Sequence, residues 1–594
     1  MKIFDTIKEL IPKARRKTAE NNTNTIPVSG EANTEGAAND CQPDDERGKK
    51  EADSCSWGET VKAFQIGFYD FTTEKGVIGF YIDPNNRWVK LSDEVFKPGM
   101  EEIYEQKLRT MRDTTRGERL SERLKKLEQD DEVAEYEKQM VIPNIDLAVE
   151  KAKSDKTKVD GEWAPGNAGR CGYSFRIVFG FLVIQGILDI SDRDVCKMVS
   201  ESPYLQYFLG YESFSVSNTV HPTSLVHFKK RLDWETMEKL NEVVRKSRVE
   251  SKGYRGDMKG DANGEAEKEE AFEREEGTPC EKISDVPARA IKNAGTLILD
   301  ATCGPVNIRF PQDFSLLNEA RTSTEGIIDR ICEEHNISKP RTYVKVLQKA
   351  AKDLSKTKKK KEEQIRHVVK LELNAIERNL KYIEGFLKDY AEVELSCDEV
   401  EKIMVTRALY AQQKYMFENR IHRVTKRIVS FSEYFIRPIS RGKADRPTEF
   451  GPKYDISVDE NGHCSLTHFS FENNNESKHL KDAVEKYKKK TGHYPERVLA
   501  DQIYRNTENR NYCKENGIRL SGPKLGRKPK DEEVLLEQLR TEKEDMTDRI
   551  GVERHFSRQK RCFGIEEIVE RTFENIGHAV GMSVFLDNVV PVGF

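Results

Sequence analysis

Residues 296–310 read TLILDATCGPVNIRF, and an unbroken apolar run at the start of this stretch leads directly into an acid, Asp300. Such a run is typical of a strand that is covered on both faces of a sheet. A second stretch of the same kind, VLADQIYRN (498–506), ends its apolar run in Asp501. We therefore expect two strands of one α/β domain, each with a carboxylate at its carboxyl end.

A third acid lies in DRIGVERHFSRQKRCFG (548–564), which has the pattern of a helix. At about 100° per residue, Arg549 lies roughly 40° to one side of Glu553 and Lys560 roughly 20° to the other. The three side chains therefore share one face. A carboxylate between two cations is suited to holding a metal ion beside a phosphate backbone. His555 is expected to point away from this face.

The segments around these acids predict one α/β domain with a mixed sheet, interrupted by a long helical insertion. Strand character appears at RIVSFSEYFIRPI (427–439), EFGPKYDISVD (449–459) and GIRLSGPK (517–524), and a helix is expected at 477–492. The insertion spans residues 313–425. After Lys361 its apolar residues recur at steps of four and three, which is typical of a long helix that packs in a coiled-coil-like manner.

The upstream part predicts an all-helical domain at 146–250, because FRIVFGFLVIQGILDI (175–190) is apolar on most faces. Its short helices fit a helix-turn-helix, but small helical domains commonly show this pattern without touching DNA. The other expected regions are a terminal helix and polar linker, a small strand and helix region with a possible hairpin at 61–89, and an acidic linker. They span, in that order, residues 1–57, 58–145 and 251–285.

Charge is unevenly distributed, although the formal net charge is only -4. The segment from Arg341 to Lys370 carries eleven Lys or Arg against three acids. Its KTKKKK run is either a solvated loop or a contact to a DNA backbone. The eleven cysteines form no CxxC pair and predict free thiols. No apolar run approaches the roughly 18 residues of a membrane span. We expect a cytoplasmic, nucleoid-associated protein that does not bind membranes.

Three carboxylates that converge predict a site for phosphoryl transfer. Mg²⁺ takes hard oxygen ligands, and two such ions about 3.5 to 4 Å apart serve in-line displacement at phosphorus. Each acid alone has an ordinary explanation, since an Asp after a strand is often a helix cap and a Glu on a basic helix is usually a surface ion-pair partner. Convergence of all three would require cations.

Several blocks of the sequence resemble, in the same order, bacterial insertion-sequence transposases of the DDE type, in the large branch named after insertion sequences four and five. The blocks are LILDATCGPVNIRFPQDFSLLNEAR, RIVSFSEYFIRPISRGKADRPTEFGPKYDIS, VLADQIYRNTENRNYCKENGIRLSGPKLGR, RIGVERHFSRQKRCFG and, upstream, HPTSLVHFKKRL. The resemblance covers most of residues 146–590. It implies an RNase H-like catalytic domain made of 286–312 and 426–590, interrupted by the insertion and preceded by an all-α domain.

The resemblance also implies roles for individual residues. Asp300, Asp501 and Glu553 match the catalytic, metal-binding DDE triad, while Arg549 and Lys560 match the Arg and Lys of the signature that follows. That signature begins with a Tyr, which in this family assists DNA contact, and the position is Met546 here. The residues implied in DNA binding are Arg549, Lys560, Lys443 and Lys453.

The function implied is metal-dependent cleavage of DNA at the element's ends, followed by strand transfer into target DNA. The cofactor would be Mg²⁺, as two ions, with Mn²⁺ as a substitute. The partners would be double-stranded DNA, both inverted-repeat ends and target, and a second copy of the chain in a homodimer. Two alternatives stay open, namely an RNase H-like nuclease without strand transfer and a catalytically inactive DNA-binding relic.

Overall fold

The computed structural model describes the greater part of the chain in several segments. They are residues 82–127, 131–139, 145–158, 172–257, 293–440, 448–523, 526, 529, 531–591 and 594. The predictions made for residues 1–57, for 61–81 and for most of the acidic linker at 251–285 lie outside these segments.

The described residues before the first strand are mainly helical. The helices are α1 (Arg87–Val95), α2 (Met100–Asp113), α3 (Arg116–Lys125), α4 (Asp131–Gln139), α5 (Asp146–Lys153), α6 (Phe175–Leu188), α7 (Asp192–Glu201), α8 (Pro203–Leu209), α9 (Pro222–Arg231) and α10 (Trp234–Asp257). The strand or hairpin expected at 61–89 is wrong for residues 87–89, which belong to helix α1. There the Asn86 side chain caps α1, which buries Trp88 and Val95.

A strand and four long helices come next. They are β1 (Thr296–Cys303), α11 (Asp313–Glu334), α12 (Val344–Lys356), α13 (Glu362–Asp389) and α14 (Cys397–Asn419). The expected apolar stripe of α13 is present, since Ile376, Leu380 and Ile383 are buried in the core that α11, α13 and α14 share. Two upstream helices, α3 and α5, join this core through Leu120 and Val149. The core of the helical insertion is therefore partly covered by α3 and α5, which lie more than 100 residues before β1 in the sequence.

The rest of the chain alternates strands and helices. The elements are β2 (Pro438–Ser440), β3 (Thr448–Phe450), β4 (Lys453–Val458), β5 (Cys464–Ser470), α15 (Leu480–Thr491), β6 (Arg497–Leu499), α16 (Thr507–Glu515), β7 (Arg519–Leu520), α17 (Glu532–Cys562) and α18 (Phe573–Val589). Short 3₁₀ turns cover Glu476–His479 and Gln502–Tyr504. α17 is one continuous helix that contains both Glu553 and the charged stretch before it.

Two strand predictions need correction. Only Pro438 and Ile439 of the stretch at 427–439 lie in a strand, β2, which pairs with β3 in a separate two-stranded ribbon. The apolar residues of the stretch instead enter two different cores, Tyr434 that of the insertion and Ile436 that of the sheet. β5 was not predicted, because Ser, Thr and His interrupt the apolar pattern of CSLTHFS.

The main sheet has the order β5-β4-β1-β6-β7. β1 runs antiparallel to β4 and parallel to β6, so the sheet is mixed, as predicted. Its two faces are both covered. Leu297 and Leu299 pack with α15, whereas Ile298 packs with α17 and α18. The expectation that the TLILD run forms a strand covered on both faces is confirmed.

Helix α18 links the sheet to the upstream helices. Its Ile576, Val580 and Val584 belong to the core of the sheet, while Phe585 and Leu586 belong to a core with α1, α2 and α6 to α10. The upstream helical domain and the sheet therefore share an element that comes from the very end of the chain.

Candidate active site

The two acids of the apolar runs lie on neighbouring parallel strands. Ile298 of β1 is paired with Leu499 of β6. Side chains alternate along a strand, so extending this register by two residues places Asp300 opposite Asp501, on the face that α17 covers. Asp501 follows β6 as expected, but Asp300 lies inside β1, because β1 stays paired with β4 as far as Cys303.

Backbone amides orient both carboxylates. Asp501 caps the 3₁₀ turn after β6, and its Oδ1 accepts a hydrogen bond from the backbone N–H of Gln502 at 2.7 Å. The Oδ1 of Asp300 accepts one from the N–H of Ala301 at 2.8 Å. Each acid therefore keeps its other oxygen available for a further partner.

Helix α17 brings the third acid to this face. It packs on β1 closely, since a Cβ added at Gly551 would lie 3.7 Å from the Cδ1 of Ile298. Arg549 then bridges two members of the predicted triad. Its guanidinium nitrogens lie 3.9 Å from Oδ2 of Asp300 and 4.0 Å from Oε1 of Glu553. One face of the sheet, near the carboxyl ends of β1 and β6, therefore carries Asp300, Asp501, Glu553 and Arg549.

The electrostatics of Asp300 reflect this crowding. Burial raises the pKa of Asp300 to about 6. The hydrogen bond from Ala301 and the charge of Arg549 oppose the rise, while the negative charges of Glu476 and Asp501 add to it. A carboxyl whose ionised form is disfavoured by burial and by other acids gains when a cation arrives.

Glu476 is the acid that the sequence interpretation missed. It begins the 3₁₀ turn after β5, and its charge acts on Asp300. The signal was the same as for the other acids, a carboxylate shortly after a strand at the active edge of the sheet. It was invisible because β5 itself was not recognised. Tyr504, which is buried, also lies within the fields of Glu476, Asp300 and Asp501, and burial raises its pKa.

The predicted DNA-binding lysines have different positions. Lys443 lies outside the described residues. Lys453 is only 17% exposed, and its ammonium lies 2.6 Å from Oε2 of Glu476 and donates to the carbonyl of Asn474 at 2.9 Å. It therefore orients Glu476 within the acidic site. Lys560 is half-buried on α17, two turns beyond Glu553, or about 10 Å along the axis. Met546 is 70% exposed on the same helix.

The opposite side of α17 carries a second group of polar side chains. Cys464, His555 and Asp587 form the one set of three potential metal ligands, among the described residues, whose ligand atoms all lie within 4.8 Å of one another. Asp587 is already neutralised, because Nδ1 of His555 lies 2.6 Å from its Oδ2 and Nη1 of Arg558 lies 3.0 Å from its Oδ1. The amide of Gln559 donates to both Asp587 and Cys464. This group fastens α17 to α18 and β5.

The acids near the carboxyl ends of β1 and β6 are spaced more widely than that compact group, and Glu553 is 59% exposed. Their chemistry nevertheless fits divalent ions that take oxygen ligands and retain water. Mg²⁺ binds through one or two carboxylates, several waters and substrate phosphates. In the part of the chain that the structure describes, the cations in ion pairs with these acids are Arg549 and Lys453. The fold and the site define an α/β protein with a cluster of carboxylates at a central pair of parallel strands.

Comparisons with known proteins support the resemblance in two parts of the chain. A model described as "Transposase DDE domain" matches residues 498–589, and one described as "Transposase domain (DUF772)" matches residues 137–231. The two domain matches support an insertion-sequence transposase of the DDE type. The DDE match includes Asp501, Arg549, Glu553 and Lys560. The resemblance read from the sequence is confirmed at the level of the family.

One relative with a curated description is "Uncharacterized protein ORF8 in nfe locus" from Rhizobium meliloti, which is 28% identical over 72 residues. The alignment covers 12% of this chain and 35% of that protein, so the chain spans about a third of its length. No solved structure matches the chain significantly.

The family sets some properties in general terms. A DDE domain implies an RNase H-like fold, and the five-stranded mixed sheet is compatible with it. Transposases act on DNA, and the DDE family generally uses divalent metal ions. Within the described residues, none of the helices combines the length and the hydropathy needed to cross a membrane.

Proposed function

We propose that the protein is a transposase that cleaves DNA at the ends of its element and joins the freed end to target DNA. In this proposal Asp300, Asp501 and Glu553 hold two Mg²⁺ ions, for which Mn²⁺ can substitute. The observation that carries the proposal is the register of β1 and β6, which sets Asp300 opposite Asp501 beneath the helix that bears Glu553.

Bound divalent ions would supply activation of the attacking oxygen and stabilisation of the leaving oxygen in the in-line displacement. The protein side chains prepare that chemistry. The backbone N–H groups of Ala301 and Gln502 hold one oxygen of each aspartate. Fixed carboxylates lose little freedom when a ligand binds, which favours a reaction that depends on precise positioning.

The cations around the acids have separate tasks. Arg549 lies between Asp300 and Glu553, where its positive charge reduces the repulsion between the two carboxylates. When metal ions neutralise these acids, its guanidinium can bind a DNA phosphate instead. Lys453 holds Glu476 in reach of the site as a fourth carboxylate. Lys560, on the same helix face, is placed to contact the backbone further along the DNA without reading sequence. A homodimer, with one site for each element end, completes the proposal.

The test uses Asp501→Asn, which keeps the shape of the side chain and its bond to Gln502. We expect cleavage of a supercoiled plasmid carrying the element's ends to fall at least about a thousandfold, or about 4 kcal/mol of barrier. Binding to end DNA and the circular dichroism spectrum should be retained. Glu508→Gln, at an exposed acid of α16, is the matched control. Full cleavage by the Asp501 variant would overturn the proposal.

The products distinguish the alternatives. A joined product between element end and target supports a transposase. Metal-dependent nicking without any joined product would instead identify a nuclease that lacks strand transfer. Binding to end DNA with no metal-dependent cleavage at all would identify an inactive DNA-binding relic.

A further inference from the structure

The insertion carries a strongly basic segment that the proposed active site does not use. Nine of the 21 residues from Arg341 to Lys361 are Lys or Arg, and one is acidic. Most of this segment is helix α12 (Val344–Lys356). The KTKKKK run at the end of this segment was interpreted above as either a solvated loop or a DNA contact, and α12 precedes it.

Four lysines of α12 form one exposed stripe, which we name the lysine face. Taking Lys345 as the reference and about 100° per residue, the other three lie within roughly 40° of it. All four are exposed, and they are Lys345, Lys349, Lys352 and Lys356. The face extends about 16 Å along the helix, and the lysines at 358–361 continue it beyond the helix end.

The other side of α12 is apolar and buried. Leu347, Ala351 and Leu354 are each less than 10% exposed and lie roughly opposite the lysine face. The helix is therefore fixed to the insertion by its apolar side, so the lysine face is a rigid surface that points to solvent. A helix that docks on lipid needs an exposed apolar side. α12 has its apolar side in the core, which disfavours a membrane as partner.

The lysine face is also not balanced by acids of the protein. Within the described part of the chain, none of its four lysines takes part in an ion pair. The ion pairs between described residues of the insertion use other cations, namely Arg321, Arg330, Lys339 and Lys381. The acid on α12 itself is Asp353. Four like charges on one side of a helix repel one another, and an external polyanion would relieve this repulsion.

We propose that the lysine face of α12 binds the phosphate backbone of double-stranded DNA. Phosphates follow each other every 3.4 Å along the axis for one strand, so about 16 Å matches a run of about five phosphates. Ammonium groups act as point charges on phosphates and do not read bases. The contact therefore anchors DNA of any sequence on the insertion. The inference rests on the proposed function only for the identity of the DNA.

The experiment measures the salt dependence of binding to a labelled 30-base-pair duplex in buffer without divalent metal, so that cleavage plays no part. The test variant is K349A/K352A in the full chain. We expect its slope of log affinity against log salt to be shallower by about 2, since each lost phosphate contact removes about 0.9. Affinity at low salt should fall about tenfold. K349R/K352R should bind like the wild type.

The matched control is K381A/K388A, which removes two exposed lysines from α13 of the same insertion. It should leave the slope unchanged, and an equal loss there would overturn the proposal. A K349A/K352A protein that binds with the wild-type slope would overturn it while leaving the transposase function intact. A wild-type chain that binds no DNA would overturn both. Binding of the lysine face to vesicles containing phosphatidylserine, but not to DNA, would replace DNA by a membrane as the partner.

Discussion

The two sides of helix α17 carry acids in opposite circumstances. On the side that faces away from Glu553, Asp587 is fully buried and is paired with Arg558 and His555. Near the carboxyl ends of β1 and β6, the cations that form ion pairs with Asp300, Glu553 and Glu476 among the described residues are Arg549 and Lys453. The charge of Asp587 is therefore balanced by cations of the protein. The acids near β1 and β6, by contrast, outnumber the described cations that pair with them.

The balance of charge around an acid distinguishes a structural acid from a candidate functional one better than the distance between potential ligand atoms does. The compact group of potential metal ligands is the one around Asp587, yet its charge is already balanced by protein cations. The acids near β1 and β6 lie further apart, and within the described segments they outnumber the cations paired with them, as expected for the proposed metal site. Three predictions follow from this contrast, and each could break it.

The largest effect is expected at Asp587. Asp587→Ala leaves the guanidinium of Arg558 and the imidazole of His555 without their carboxylate, and breaking such a buried pair costs about 4 kcal/mol. Chemical denaturation should show this loss, with cleavage reduced only in proportion to the unfolded fraction. Glu567→Ala, at an exposed acid, is the control and should change stability by less than about 0.5 kcal/mol. A variant of Asp587 as stable as the wild type would refute the structural role.

The second prediction concerns His578, a buried residue of α18 that contacts the upstream helical region. Burial lowers the pKa of His578 to about 4, and its Nδ1–H donates to the carbonyl of Leu232. The unfolded chain therefore binds more protons between pH 6.5 and pH 4. Stability must fall as the pH falls through this window, by about 3 kcal/mol in total.

Denaturation midpoints at pH 7, 5.5 and 4.5 check this expectation. His578→Asn should remove part of the pH dependence, and His227→Asn, on an exposed part of α9, controls for the loss of one imidazole. An equally steep pH dependence in the His578 variant would show that this residue is not responsible.

The smallest effect, with the opposite sign, is expected at Asp300. Because burial and other acids disfavour its ionised form, Asp300→Asn should stabilise the metal-free protein at pH 7.5 by about 1 kcal/mol, a value reduced for its partial exposure. The wild type should gain stability when Mg²⁺ is added, and the variant should gain less. Thermal denaturation with and without Mg²⁺ measures both, with Glu508→Gln as control. Destabilisation of the metal-free variant would mean that Asp300 serves the fold.

Much of the α/β domain was predictable because its signals are local. The TLILD and VLAD runs mark buried strands by composition alone, and the spacing of Arg549, Glu553 and Lys560 on a helix places them on one face. β5 was missed because its polar residues hide the pattern, and Glu476 was missed with it. The stretch at 427–439 was predicted as a strand because its apolar residues are closely spaced. In the structure these residues anchor a loop in two different cores, and the sequence pattern is the same in both cases.

The sequence by itself determined β1, the strand before Asp501, the helix of Glu553, the three predicted acids and the family resemblance, because apolar runs, helical periodicity and motif order are local properties of the chain. Only the tertiary structure decided which charges are balanced. The pairing of Asp587 with residues of α17, of Glu476 with Lys453, and the absence of such partners on the lysine face of the described α12 depend on contacts between distant segments. Charge balance is set by distance in space, and no local pattern in the chain records it.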